Sequence, residues 1–350
     1  MSNSSGHWTN ELKSIFVASD YVTIFGFVQW VLRHDAKPYQ LEIEIEDQQP
    51  VHRVGVLSNA QLPENIQAWE ATLRDRGYVV GWNLQIEYRH FQGRTEQIPA
   101  LLAELITFGP EVIVTSTSDS AAAIHTAAPT IPMVFLSVAD PIGLGLVASL
   151  AHPGGNVTGF ATLDLGGLGG FIAKHLQILQ ATVPGVEQIA VLVNPTTAMH
   201  QLALQKLPRA RGELGVKLVV VEASKPDQFE TAFETAHKQG AEAIDVWNGP
   251  LVFTNSARIV GLAAHYQLPE IYWDRGYVVG GGLMSYGPNA TDLWRGAAGY
   301  VDKILKGENP GDLPVQRPTR YYLTVNLKTA KARGITIPPA ILVQADEVIE

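Results

Sequence analysis

Residues 112–141 read VIVTSTSDSAAAIHTAAPTIPMVFLSVADP, and the layout of this stretch decides the fold. A short apolar run, Val112 to Val114, stops at a cluster of hydroxyl residues: Thr115, Ser116, Thr117, Ser118 and Ser120. A helix of small residues follows. A second apolar run, Met133 to Leu136, then ends at Ser137 and Asp140. Two buried strands joined by a helix predict a parallel βαβ unit, because parallel neighbours need a crossover and antiparallel ones only a turn. Ligands of such sheets bind beyond the carboxyl ends of the strands. Both strands here end in small polar groups, without a nucleophile–base pair or a metal-ligand cluster beside them. The pattern suits holding a small polar molecule rather than transforming it.

The same alternation extends outward on both sides. Strands are expected at 54–57, 84–88 and 157–161, with helices at 64–76 and 95–108 and a short helix at 143–150. Ile66, Trp69 and Leu73 recur on one face of the first helix, and Gly77 closes it. After a Gly-rich stretch (Gly166, Gly167, Gly169, Gly170) the pattern restarts. Strands are expected at 189–193, 217–221, 243–246 and 270–272, separated by helices. The Gly-rich stretch lacks the Lys-Ser/Thr of a phosphate loop and the GxGxxG spacing, so it reads as a flexible connection. A long helix is expected at 293–305, then a Pro-rich crossing, a strand at 321–325 and a helical tail. The second half thus repeats the order of the first. This predicts an α/β fold of two Rossmann-like lobes with parallel sheets joined by a hinge. The expected division is 51–160 plus 283–309 for lobe 1 and 161–282 plus 310–350 for lobe 2. Two lobes facing each other make a cleft, a favoured place for a ligand.

Composition narrows the function. The 350 residues are enough for two domains, and 46% hydrophobic against 17% charged content suits a well-buried globular chain. A formal charge of −9 with no basic run argues against nucleic acid as a partner. The absence of cysteine removes disulfides, thiolate metal sites and cysteine nucleophiles. The ten histidines form no HxxxH or HExxH set, and there is no GxSxG elbow. No enzyme, metal or cofactor is expected.

Residues 1–50 do not match the rest and read as an atypical leader or extension. Ile15–Leu32 is apolar, yet Asp20 and Gln29 interrupt it and only Lys13 precedes it as a basic residue. A secretory signal wants a positive start and an unbroken apolar run. No export signal is recognisable there, which leaves a cytoplasmic location open from the residues alone.

Four collinear segments carry a family resemblance: VPGVEQIAVLVNP (Val183–Pro195), ADPIGLGLVASLAHPGGNVTG (Ala139–Gly159), GGLMSYGPNATDLWRGAAGYVDKILKG (Gly281–Gly307) and the stretch from Leu313 to Glu350. From about Arg53 onward the chain resembles the ABC transporter substrate-binding proteins of the tryptophan/tyrosine-type family, a branch of the type I periplasmic binding fold. The resemblance implies two lobes that close on a small polar ligand, an amino acid or related compound, a periplasmic location, and an inner-membrane ABC permease as partner.

A zwitterion needs two opposite partners. Its carboxylate is best held by hydroxyls and free amides at a helix N-terminus. Ser116, Thr117 and Ser118 stand at such a place, although one of them is expected to serve as an ordinary helix cap. Its ammonium needs carboxylates, for which Asp140 and Asp274 are candidates. A turn before Pro141 and an ion pair with Arg275 are their respective competing roles. Ser58, Asn59, Ser137, Asn194 and Asn248 follow strand ends and complete the candidates, together with Tyr286, which follows a Gly-rich, hinge-like segment. Trp247 is a candidate for stacking on an apolar ligand. Two rival readings are a cytosolic sensor reusing the fold and a nucleotide-using enzyme. The enzyme wants a phosphate loop after the first strand, where Leu57-Ser58-Asn59-Ala60 stands instead.

Overall fold

The structure, a computed structural model, describes residues 51–60, 62–162, 167–197, 199–205, 207 and 215–350. The expected leader, residues 1–50, lies outside them. The first lobe is built from β1 (His52–Ser58), α1 (Pro63–Arg74), β2 (Leu84–His90), α2 (Ile98–Phe108), β3 (Val112–Thr115), α3 (Ser118–Ala127), β4 (Met133–Val138) and β5 (Val157–Ala161). Its five strands lie in the order β2-β1-β3-β4-β5, all parallel. The all-apolar runs of β1 and β3 follow from this topology, because helices cover both faces of a parallel sheet.

The second lobe opens with α4 (Gly167–Thr182) and β6 (Gln188–Val193), followed by a helical stretch at 199–205. It continues with β7 (Lys217–Glu222), α5 (Phe229–Lys238), β8 (Ala243–Val246), α6 (Pro250–Thr254), α7 (Ser256–His265), β9 (Glu270–Tyr272), α8 (Arg275–Val279) and β10 (Met284–Gly287). After α9 (Ala290–Leu305) come β11 (Tyr322–Asn326), α10 (Leu327–Ala332), α11 (Pro339–Gln344) and β12 (Glu347–Ile349). The seven-stranded sheet runs β12-β11-β10-β9-β8-β6-β7, and only the β10–β11 pair is antiparallel.

Helix α9 follows a strand of the second sheet yet packs on the first. Leu293, Trp294, Ala297, Ala298, Val301 and Ile304 recur at helical spacing and join Trp69 and Leu73 of α1 in one core. The Trp69 and Trp294 rings meet edge to face with centroids 5.8 Å apart. Gly296 is required here: a Cβ would stand 2.4 Å from Cζ of Phe160. Leu313 and Val315 then pack into first-lobe cores before β11 returns to the second sheet. The chain therefore passes between the lobes after Thr162, at Pro288–Asn289 and beyond Gln316.

These placements move the expected division in two places. Residues 284–287 were expected in lobe 1, but β10 pairs with β9 and β11. Residues 310–315 were expected in lobe 2, but Val315 N–H donates to Leu150 O at 2.7 Å and Thr158 donates to Leu313 O at 2.7 Å, both in the first lobe. Two local expectations also fail. Residues 143–150 form turns rather than a helix, since Asp140 holds the Gly143 amide and Gly145 takes a left-handed φ of 69°. The tail is not wholly helical, because residues 347–349 extend the second sheet as β12.

Candidate functional site

The carboxyl ends of β1, β3 and β4 face those of β6, β8 and β9 across a cleft of about 180 Å³. That volume suits one small solute and no macromolecule. Asn59, Ser116, Thr117, Ser118, Ser137, Asn248 and Asp274 all line it. Ser58, Asp140, Asn194 and Tyr286 do not.

The first-lobe wall is the N-terminus of α3. Thr117 is its N-cap, with extended backbone (φ −141°, ψ 158°) and a side chain that accepts from the Ser120 amide at 3.2 Å. Ser120 also exchanges hydroxyl bonds with Thr115 at 2.5 Å and Thr117 at 2.7 Å. Ser116 accepts from the Asn59 amide at 3.3 Å. The Ser118 and Ser137 hydroxyls line the cleft with no hydrogen bond among the described residues. Ser118 thus stands free at a helix N-terminus whose own cap is already supplied by Thr117, a combination suited to an anion.

Asn59 belongs to both lobes. Its Oδ1 accepts from the Gly93 amide at 2.7 Å, and its Nδ2 reaches Pro250 O at 3.3 Å and Thr254 Oγ1 at 3.4 Å in α6. Gly93 has a left-handed φ of 79°, and a Cβ there would lie 3.1 Å from Thr254 Oγ1. Any side chain at this position would press on the second lobe.

The second-lobe wall is arranged differently. Asp274 caps α8, accepting from the Gly276 amide at 2.7 Å. The ion pair with Arg275 that competed for it is absent, because Arg275 binds Glu347 on β12 instead. Burial raises the pKa of Asp274 above the usual carboxylate value, and the negative charge of Glu64 on α1 adds to this. Asn248 lines the cleft, and its backbone carbonyl accepts from His200 Nε2 at 2.9 Å.

The four remaining candidates are used within the fold. Ser58 is buried and exchanges a hydrogen bond with His90 Nδ1 at 2.8 Å. Asp140 accepts from the Gly143 amide at 2.8 Å, the turn role that competed for it. Asn194 accepts from the Thr196 amide at 3.0 Å and the Thr196 hydroxyl at 2.8 Å. Tyr286 stacks on Phe171 and Tyr321, and the glycines before it close α8 and its turn rather than forming a hinge. Trp247 is also internal: it is fully buried and donates to Asp245 at 3.0 Å.

Several lining residues escaped the sequence reading. Asp119 enters the first turn of α3 next to Ser118, and burial raises its pKa. Its position inside the opening stretch was the available signal. Phe253, Trp273, Leu293 and Trp294 give the cleft an apolar side. The indole Nε1 of Trp273 is buried without a hydrogen-bond partner among the described residues. Asp119 and Asp274 are the charged groups of the lining, which contains no Lys, Arg or His among the described residues. No group of metal-ligating side chains forms among them either, and no helix of theirs is long and apolar enough to cross a membrane.

Known proteins resemble this chain in sequence and fold. The tyrosine-binding protein of Clostridioides difficile (strain R20291) is 26% identical over 266 residues, 74% of this chain and 73% of that protein. The crystal structure of a conserved domain protein from Vibrio cholerae superposes with a TM-score of 0.78 at 28% identity, covering 85% of this chain and 99% of the other. An ABC domain from Streptococcus pneumoniae in complex with L-Trp gives a TM-score of 0.77 at 22% identity, with the same coverage of 85% and 99%. Residues 54–349 match the model of a single family across both lobes and all three crossings. The chain belongs to the ABC transporter substrate binding protein family, and its two lobes are those of a solute-binding receptor.

Proposed function

We propose that the cleft binds one amino acid with a large apolar or aromatic side chain and that the loaded receptor delivers it to an ABC permease, without chemical change to the ligand. The carrying observation is the charge of the lining: two carboxylates, Asp119 and Asp274, and no cation among its described residues. Desolvation penalises both carboxylates when ionised, and an ammonium group relieves that penalty. In this reading Asp274 is the main ammonium partner. The ligand carboxylate takes the Ser118 hydroxyl and the free amides that begin α3, while Ser137 and Asn248 supply further polar contacts. Phe253, Trp273 and Trp294 receive the side chain. The ligands named for the Clostridioides and Streptococcus relatives support an aromatic amino acid.

Binding across two lobes stabilises whichever lobe arrangement makes contacts from both sides, which is how a receptor signals loading to a permease. A periplasmic location fits this role. Titration calorimetry with L-tyrosine, L-tryptophan, L-phenylalanine and L-leucine tests the reading. Saturable heat with an aromatic member is expected, together with compaction in solution scattering. The absence of both for every amino acid would overturn it.

A further inference from the structure

Behind the second-lobe wall sits a histidine that touches no cleft volume. His200, in the helical stretch after β6, is fully buried. Its Nδ1 accepts from the Asn194 backbone amide at 2.7 Å, and its Nε2 donates to the Asn248 carbonyl at 2.9 Å. An amide N–H can only donate and a carbonyl can only accept. The two partners therefore demand one form of the ring, neutral with its proton on Nε2.

The two partners lie just beyond the ends of β6 and β8: Asn194 directly follows Val193, and Asn248 stands two residues after Val246. Each opens a segment of cleft wall. Beyond Asn194 comes Thr197, whose hydroxyl donates back to Asn194 O at 2.9 Å. Beyond Asn248 come Gly249 and Pro250, and all of these except Asn194 line the cleft. A Cβ on Gly249 would stand 3.7 Å from the His200 ring, so the ring forms the floor beneath that turn. We propose that His200 is the positioning residue of the second-lobe wall: as a neutral Nε2–H imidazole it ties the ends of two strands together and so sets where Thr197, Asn248 and Gly249 meet the ligand.

The surroundings favour that form. Trp247 packs edge-on with ring centroids 5.6 Å apart. The facing charged group is Asp245 on β8, which is already engaged by His175 Nδ1 at 3.1 Å and by Trp247 Nε1 at 3.0 Å. Its field favours a proton on His200, but burial outweighs it and pushes the imidazole down to about 4. Protonation would set a new N–H against the Asn194 amide, two donors facing each other.

The affinity arm of the test rests on the amino-acid reading above, and the other two arms do not. In protein carrying 15N-labelled histidine, the His200 ring, assigned by its loss in His200→Gln, is expected to remain the neutral Nε2–H tautomer at about pH 5.5, where a free imidazole is mostly protonated. A protonated ring or the opposite tautomer there would overturn the proposal. Glutamine carries an acceptor and a donor flanking one carbon, as the imidazole does. His200→Ala is expected to weaken L-tyrosine or L-tryptophan binding about tenfold, the scale of lost buried hydrogen bonds. His200→Gln is expected to restore it to within about threefold of the wild type. Equal loss in both variants, or none in either, would count against positioning. If neither amino acid binds the wild-type protein, exchange of the Asn194 amide decides: faster in His200→Ala and slowed again in His200→Gln supports the tie, and no change refutes it.

Discussion

The two walls of the cleft use polar residues at strand ends in opposite ways. In the first lobe the hydroxyls after β3 divide the work: Thr117 caps the helix, Ser116 receives a neighbouring amide, and Ser118 is left to the cleft. In the second lobe the residues in corresponding places are spent on the fold. Asn194 builds a turn, and the backbone of Asn248 is bound to His200. What that wall offers is one carboxylate, Asp274, the polar groups of Thr197 and Asn248, and the apolar faces of Phe253 and Trp273. One repeated architecture thus gives a first wall rich in hydroxyls at the start of α3 and a second wall without that cluster, while each wall carries one carboxylate, Asp119 on the first and Asp274 on the second.

The sharpest way to break this contrast is to remove its charge. Asp274→Asn keeps an oxygen for the Gly276 amide while deleting the carboxylate. It is expected to weaken amino-acid binding about thirtyfold, near 2 kcal/mol, the scale of a charged hydrogen bond. Unchanged calorimetric affinity would take Asp274 out of the site. The pH dependence has a definite sign. Burial raises the folded-state pKa of Asp274, so the empty protein holds its proton more tightly than the unfolded chain does. This carboxyl therefore favours the empty fold most at low pH, and the contribution declines as pH rises through the raised pKa. Ligand binding runs the other way: it requires the ionised form, so affinity should fall as pH drops through that same pKa and should recover less steeply in Asp274→Asn.

A middle-sized effect separates neighbours on the other wall. Ser118→Ala should weaken binding about fivefold, near 1 kcal/mol, with the melting temperature held. Thr117→Ala should do the reverse, lowering unfolding free energy by about 1 kcal/mol through loss of the cap while affinity changes little. Calorimetry and denaturant melts on both variants check the assignment, and exchanged outcomes would exchange the roles. The smallest effect belongs to Asn194→Ala. It should leave affinity within about twofold, since its side-chain bonds are internal to the turn. A large loss would show that Asn194 itself takes part in recognition.

The strands and the α3 wall were legible because their causes are local. A strand buried on both faces is a continuous apolar run, and a helix start inside a parallel sheet announces itself in hydroxyls. The failures divide between one local turn and partners far away in the chain. Asp140 and Asp119 are similar in sequence terms, yet a following Pro141-Ile142-Gly143 draws the first into a turn. Arg275 could be removed from Asp274 only by Glu347, on a strand that the local pattern reads as helix. Trp294 reaches the cleft on a helix that crosses back between lobes, and no window of sequence carries that crossing.

That crossing also sets an order of assembly during synthesis. The face of the first-lobe sheet on which α1 packs Trp69 and Leu73 is closed by α9, which the ribosome makes only after β6 through β10 of the second lobe. Domains generally fold as they emerge, N-terminal first. Here the earlier lobe must wait, with an apolar face uncovered, while its successor is translated. A nascent chain stopped before residue 290 has the strands of its first lobe but not the helix that closes their core. The segment that completes the older half of the protein is made only after most of the younger half.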